Sequence, residues 1–164
     1  MTGNRAGASV GRLRPATESD LARLLSLWAL VYDGDEGGDE GGLGEGWAQS
    51  ARDWFVRVVD DGATARFPVV EVDGVIVATA VGTLELGVPN PHCARGRTVR
   101  LANVITVPEH RGHGIGTLLV GDVVEWARSI DADRVDLSAT PDGRRLYERL
   151  GFVLTSAPRM KLVL

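Results

Sequence analysis

The stretch VPEHRGHGIGTLLV, residues 107–120, constrains the fold more strongly than any other part of the chain. Gly112, Gly114 and Gly116 fall within five positions, between a β-branched run and an apolar helical pattern. Glycine loses more backbone freedom on folding than any other residue, so this spacing indicates unusual dihedral angles or a close approach of the backbone to another group. The pattern predicts a strand, a tight loop and a helix at the centre of a strand–helix–strand unit.

The same loop predicts an anion site. The first backbone amides of a helix have no partner within the helix, and the helix dipole places positive charge there. Arg111 adds a guanidinium directly before the first glycine, so the loop suits a pyrophosphate. A P-loop is excluded because no lysine follows Gly116. A dinucleotide site is disfavoured because Thr117 replaces the third glycine or alanine of that fingerprint, although Asp136 lies about twenty residues downstream.

The remaining segments predict a mixed sheet with helices packed on it. Helices are predicted after the capping pair Thr17 and Asp20, over residues 47–60, from the glycine loop to Ser129, and from the Thr140 cap to Gly151. Strands are predicted at residues 12–14, 68–72, 75–86, 99–107, 134–138, 152–154 and 160–164. Composition predicts a loop over residues 33–46.

Composition narrows the classes of partner. The chain has 164 residues, 44% hydrophobic and 24% charged, which predicts one globular domain over residues 10–164 after a flexible head at residues 1–9. The net charge of −4 argues against a nucleic acid or a membrane as a partner. A single cysteine, Cys93, excludes an intrachain disulfide and suits a reducing compartment, so we expect a cytoplasmic protein.

Two motifs resemble those of the GNAT superfamily of N-acetyltransferases. VxPEHRGHGIG is similar to that family's acyl-CoA-binding motif, R/Q-x-x-G-x-G/A, and LYERLGF at residues 146–152 is similar to its short helix with a tyrosine and a Gly-Phe pair. The resemblance extends from Arg12 to Leu164. It implies an α/β (α+β) fold: a mixed, mostly antiparallel sheet with a central splayed strand pair and helices on both faces.

The resemblance also implies where acetyl-CoA, the expected co-substrate, would bind. The pyrophosphate would lie on the loop amides of Arg111, Gly112, His113, Gly114, Ile115, Gly116 and Thr117. The pantetheine arm would run along Ile105, Thr106 and Val107, into an opening between that strand and residues 134–138. Thr140 occupies the position of an asparagine that many members carry, so its contact with pantetheine would be weaker.

The expected reaction is direct attack of a primary amine on the thioester in a ternary complex. Tyr147 is the family's candidate for protonating the thiolate, and a backbone N–H at residues 103–105 would polarise the carbonyl. The general base is left open: Asn103 could order a water, and Glu71, Glu85 or His92 could reach the acceptor. A non-catalytic acyl-CoA-binding or sensing domain on the same fold is the alternative function.

The sequence lacks the residues that a metal site or a thiol nucleophile would require. His110 and His113 have no third ligand in the sequence pattern, so no metal site is predicted, and the acidic run does not fit an EF-hand. Cys93 beside His92 has no orienting third group, so we expect no thiol nucleophile.

The acidic, glycine-rich run at residues 33–46 bears on the acceptor. Asp35, Glu36, Asp39 and Glu40 would border the acceptor side of the cleft and attract a cationic amine, whereas the other interpretation is a solvated loop. The expected partner is therefore a small-molecule or peptide amine, and the protein is expected to be a monomer or a homodimer.

Overall fold

A mostly antiparallel sheet of six strands organises residues 11–32 and 45–164, which the computed structural model describes. The strands are β1 (Arg12–Pro15), β2 (Ala65–Arg66), β3 (Pro68–Val72), β4 (Val75–Leu86), β5 (Arg97–Thr106) and β6 (Arg134–Asp136). Their order is β1-β3-β4-β5-β6, and β2 pairs with β4. The β5–β6 pair is parallel and every other pair is antiparallel, so the predicted mixed sheet is confirmed.

Helices cover both faces of this sheet. They are α1 (Leu21–Ala29), α2 (Glu45–Val58), α3 (Ile115–Ser129) and α4 (Arg144–Arg149). On β3, Val69 belongs to the apolar cluster shared with α1 and α2, whereas Val70 belongs to the cluster shared with α3. Both valines are fully buried. Successive side chains of a strand point to opposite faces, so β3 contributes to two cores at once.

An ion-pair network fixes the first strand to the sheet. The Arg14 guanidinium donates to Asp20 at 2.7 Å and to Glu71 at 2.9 Å. Asp20 also accepts a hydrogen bond from the backbone N–H of Thr17 at 2.8 Å, as the predicted capping pair requires. The hydrogen bonds from Arg14 are the main cause that lowers the pKa of Asp20 to about 2.

The connection between β4 and β5 is held by one carboxylate. Asp133 accepts hydrogen bonds from the backbone N–H groups of Arg95 at 2.9 Å and Arg97 at 3.1 Å. The buried thiol of Cys93 donates to the same oxygen at 3.2 Å. These bonds, that of Arg97 first, hold the pKa of Asp133 below its ordinary value.

The predicted strands at residues 152–154 and 160–164 are wrong. Those residues form no strand, and Val153 and Met160 are 86% and 90% exposed. Their apolar residues suit a strand, but strand formation also requires a paired neighbour, and none is provided within the described chain.

The remaining element boundaries differ little from the sequence-based ones. β2 was not predicted because two residues are too short for a pattern, and α2 begins at Glu45 rather than at Trp47. The predicted head and residues 33–44 of the predicted acidic loop lie outside the described residues. No helix in the described ranges combines the length and apolarity needed to cross a membrane.

Candidate active site

A β-bulge interrupts β5 opposite β4. Thr79 pairs with Ile105 and Val81 pairs with Ala102, so Ala80 lies opposite two residues, Asn103 and Val104. Asn103 has a φ of 48°, in the left-handed region. Asparagine tolerates this region better than most residues because its short polar side chain causes less crowding. The bulge changes the direction of the strand and removes Asn103 and Val104 from the regular ladder.

β6 pairs with the edge of β5 that faces away from β4, and the two strands separate just before the bulge. They pair at Thr98, Val99 and Arg100, and this pairing ends where Arg100 meets Asp136. β5 continues to Thr106, whereas β6 stops. The predicted splayed pair is therefore present, and it leaves the β6-facing edge of β5 open beyond Arg100.

The three glycines of the loop have different structural roles. Gly112 and Gly114 have φ values of 78° and 80°, and a Cβ at either position would meet nothing within 4 Å. These two glycines are therefore required by the backbone conformation. Gly116 has an ordinary φ, but a Cβ there would lie 3.0 Å from the Leu146 side chain, so it permits close packing of α3 and α4.

The loop leaves the start of α3 without a protein cap. Gly114 is the N-cap and has no side chain, and the first intrahelical bond runs from the N–H of Leu118 to the Gly114 carbonyl at 3.2 Å. The amides before Leu118 are consequently available to a ligand. Arg111 donates from Nε to the Thr106 carbonyl at 2.9 Å, which places its guanidinium beside the loop.

A pocket of about 630 Å³ lies between this loop, β5 and α4. Of the residues predicted to contact acetyl-CoA, those that line it are Ile105, Thr106, Arg111, Gly112, Gly114, Ile115, Gly116, Thr117 and Thr140. Tyr147 also lines it. Val107 and His113 do not line it, and the N–H of Val107 bonds to the Val77 carbonyl at 2.9 Å. Asn103 is absent from the lining, whereas its neighbour Val104 is present.

The LYERLGF motif positions Tyr147 through the end of α4. Gly151 has a φ of 90°, which lets the chain reverse after the helix. The N–H of Phe152 bonds to the Tyr147 carbonyl at 3.0 Å and that of Gly151 bonds to the Glu148 carbonyl at 3.1 Å, which is the Schellman pattern. The Phe152 ring then packs edge-on against the Tyr147 ring, with centroids 5.9 Å apart.

Tyr147 is half-buried, and this burial raises the pKa of its phenol. The phenol therefore stays protonated at neutral pH and can act as a proton donor. Gly143 provides space for the ring, since a Cβ there would lie 3.2 Å from Tyr147 Cε2. Thr140, one turn earlier, accepts a hydrogen bond from the Gly143 N–H at 3.2 Å, as its predicted capping role requires.

The structure separates the candidate bases from the pocket. Glu71 lies on β3, two strands away from β5, and forms an ion pair with Arg14 of β1. Glu85 faces Arg100 at 3.4 Å, and His92 is exposed in the β4–β5 connection. None of these three lines the pocket.

Several residues that line the pocket were not predicted to do so, among them Leu30, Val31 and Asp142. Leu30 and Val31 follow the last turn of α1, and Asp142 precedes α4. Their positions depend on how α1 packs across the sheet and on the turn before α4, and neither gives a local sequence signal. Asp35, Glu36, Asp39 and Glu40 lie outside the described residues, in the segment that begins two positions after Val31.

Comparisons with solved structures find the same fold. A protein from Clostridium acetobutylicum, described as a predicted acetyltransferase and solved with acetyl-CoA, is 23% identical with a TM-score of 0.78, over 93% of this chain and 95% of that one. A GCN5-related N-acetyltransferase from Ralstonia eutropha is 24% identical with a TM-score of 0.77, over 92% and 97%. Glucosamine-6-phosphate N-acetyltransferase from Arabidopsis thaliana is 18% identical with a TM-score of 0.72, over 92% and 97%.

Comparison at the level of sequence identifies the family more specifically than the similarity of folds does. No curated protein sequence matches the chain. The sequence model of the Acetyltransferase (GNAT) family, however, matches residues 28–152, a range that contains the bulged strand, the glycine loop and the tyrosine helix. The chain therefore belongs to the GNAT family of acetyltransferases.

Proposed function

We propose that this protein transfers the acetyl group of acetyl-CoA to a primary amine. The observation that carries the proposal is one pocket that brings together the uncapped amides of the glycine loop, the open edge of β5 at its bulge, and the protonated phenol of Tyr147. Each part suits a different portion of a bound acyl-CoA.

The binding half of the proposal rests on charge and on the open strand edge. The uncapped amides of α3 and the Arg111 guanidinium would hold the pyrophosphate. The pantetheine arm contains amide groups, and these would pair with β5 beyond Arg100, as an added strand pairs with a sheet edge. Arg111 supports this path by holding the last carbonyl of β5 beside the loop.

For the reaction itself, the thioester would lie between the bulge and α4. Its carbonyl oxygen would accept a hydrogen bond from the backbone N–H of Val104, which is outside the regular ladder. The neutral amine attacks the carbonyl carbon, so a C–N bond forms and the C–S bond breaks. Tyr147 gives its proton to the departing thiolate, and the phenolate then takes the proton that the new amide nitrogen loses.

The acceptor amine would reach the pocket as a cationic ammonium compound and lose a proton before it reacts. Leu30 and Val31 line the pocket, and the acidic run begins two positions later. Carboxylates near the pocket would concentrate an ammonium compound, an effect that salt screens beyond about 10 Å at 0.1 M.

Neutralising Asp35, Glu36, Asp39 and Glu40 to Asn or Gln tests this point. The variant is expected to raise KM for a cationic amine several-fold and to flatten its dependence on salt, because electrostatic attraction is lost. KM for acetyl-CoA is the internal control and should not change. An unchanged KM for the cationic amine would show that the acidic run is a spacer.

Release of thiol from acetyl-CoA in the presence of an amine panel tests the proposed function. The panel contains polyamines, aminoglycosides, aminosugars and peptides with free N-termini. Amine-dependent turnover, with acetylated product identified by mass, is the expected result. Binding of acetyl-CoA without turnover on any amine would instead support the acyl-CoA-binding or sensing domain.

A further inference from the structure

Two arginines line the pocket between the glycine loop, β5 and α4. Arg111 is held on the β5 side, where its Nε donates to the Thr106 carbonyl. Arg149 belongs to the last turn of α4, and its side chain is exposed. The proposed pyrophosphate site accounts for Arg111 and leaves Arg149 without a role.

Packing between α3 and α4 places Arg149 beside the first turn of α3. A Cβ on Gly116 would lie 3.0 Å from the Leu146 side chain, so the two helices meet at that point. Arg149 follows Leu146 by three positions and therefore lies on the same face of α4. The next residue, Leu150, lines a second groove together with Thr117 of α3. The end of α4 thus lies alongside the loop end of α3.

No carboxylate of the described residues neutralises Arg149. The adjacent acid, Glu148, pairs with Arg144 instead, with 2.6 Å between Oε1 and Nε. Arg149 takes part in no ion pair within the described ranges. Among the described residues that line the pocket Asp142 is the one carboxylate, and it precedes α4, at the opposite end of that helix. The Arg149 guanidinium is therefore available to an anionic ligand.

Coenzyme A carries a second anionic group besides its pyrophosphate, the phosphate on the 3′-oxygen of the adenosine ribose. A phosphate monoester has a charge of about −1.5 to −2 at pH 7. In the proposed path the thioester lies at Tyr147, the pantetheine arm follows β5, and the pyrophosphate lies on the glycine loop. The adenosine would then lie beyond the loop and away from β5, because the pantetheine arm occupies the β5 side. Arg149 is the pocket arginine that does not lie on that side.

We propose that Arg149 binds the 3′-phosphate of the adenosine and so makes the protein select acyl-CoA over thioester donors that lack this group. This contact rests on the proposed function, because it belongs to the same acyl-CoA site. A guanidinium presents paired N–H donors that match two phosphate oxygens, so arginine suits the contact better than a point charge does. The 3′-phosphate is remote from the bonds that react, so the contact lowers KM for the donor and leaves kcat unchanged.

Calorimetric titration of CoA and of 3′-dephospho-CoA into the wild type and Arg149→Gln tests this contact. The wild type is expected to bind CoA about 10-fold more tightly than dephospho-CoA, the contribution of one charge-assisted hydrogen bond at an exposed site. Arg149→Gln should weaken CoA binding by about the same factor and leave dephospho-CoA binding unchanged. Arg149→Lys should keep part of the preference, since it retains the charge but loses the paired donors.

Arg145→Gln is the matched control, because Arg145 lies on the same helix, is exposed and does not line the pocket. This variant should bind both ligands as the wild type does. Equal loss of CoA and dephospho-CoA binding in Arg149→Gln would mean that Arg149 contacts the pyrophosphate, and would overturn the proposal. A wild type that binds the two ligands equally would also overturn it and leave the proposed function intact. A wild type that binds neither ligand would contradict the proposed function and the Arg149 contact with it.

Discussion

Tyr147 reaches the pocket through the turn that follows it in sequence. Gly151 adopts a left-handed conformation, Phe152 returns to cover the ring, and Gly143 leaves space beneath it. The ring is thus fixed by packing on both sides, and no hydrogen bond to its hydroxyl is formed within the described chain. A phenol held in this way is oriented and free to donate its proton to a ligand.

Replacing this phenol isolates its contribution to the proposed reaction. Tyr147→Phe is expected to lower kcat by about 10- to 1,000-fold, because the leaving thiolate loses its proton donor while the ring packing remains. KM for acetyl-CoA should change little. Tyr32→Phe, at the other tyrosine of the chain, is the matched control and should keep wild-type kcat. If both variants keep wild-type kcat, Tyr147 is a packing residue.

The pH dependence of the reaction gives a second view of Tyr147. Burial raises the pKa of the phenol, so its protonated form persists to higher pH than that of a free tyrosine, which ionises near pH 10. The rate should therefore rise with pH as the amine loses its proton and show no decline below about pH 10. A steady-state pH profile that declines between pH 7 and 9 would contradict this assignment of the acid.

At the scale of elements, the bulge in β5 is the feature that opens the sheet. Asn103 in the left-handed region sets the geometry, and the neighbouring Val104 then lines the pocket. Glycine adopts this φ freely, whereas a β-branched residue adopts it at a cost of about 1–2 kcal/mol.

Substitution at Asn103 tests whether the bulge conformation matters for activity. Asn103→Gly should keep stability and kcat near the wild type because the backbone conformation is still accessible. Asn103→Val should destabilise the fold by about 1–2 kcal/mol and lower kcat, because the strained bulge relaxes and moves Val104. Denaturant unfolding and steady-state kinetics measure the two effects. Equal kcat in both variants would show that the bulge does not position the reacting groups.

These elements also show what the sequence could predict. The glycine loop was predictable because Gly112 and Gly114 report local backbone needs, and α4 was predictable because its Thr140 cap and Gly151 end are local signals. The left-handed conformation of Asn103 at the bulge was not predictable, since Asn103 has no local motif and its conformation depends on pairing with β4. The strands at residues 152–154 and 160–164 were predicted wrongly because a run of apolar residues indicates strand propensity but does not supply a partner.

At the scale of the whole molecule, the Arg14 network joins the first strand and helix to the sheet. The pKa of Asp20 is about 2 in the fold and 3.8 without it, so the carboxylate contributes stability above pH 3.8. That contribution is lost as the pH falls through about 2, because both states then bind the proton. Glu71 and Asp20 share the one guanidinium, so removal of either acid leaves the other in place.

Asp20→Asn is expected to lower the free energy of unfolding by about 1–2 kcal/mol at pH 7, discounted for partial exposure of the pair. The difference between variant and wild type should shrink as the pH approaches 2. Denaturant titrations at pH 7, 4 and 2.5 measure this. A difference that does not vary with pH would mean that Asp20 acts through packing rather than through its charge.

Calorimetric titration of acetyl-CoA into matched glycine variants tests whether the glycine loop holds the acyl-CoA. Gly114→Val changes the N-cap of α3, and Gly121→Val makes the same change within α3. At both positions a Cβ would meet nothing within 4 Å. They differ in backbone conformation, because Gly114 alone of the two has a positive φ, of 80°. Valine disfavours that φ and would turn the loop amides away. We expect wild-type affinity in Gly121→Val and at least 100-fold weaker binding in Gly114→Val, with both variants folded. Wild-type affinity in folded Gly114→Val would contradict binding at the glycine loop and would mean that the acyl-CoA binds elsewhere.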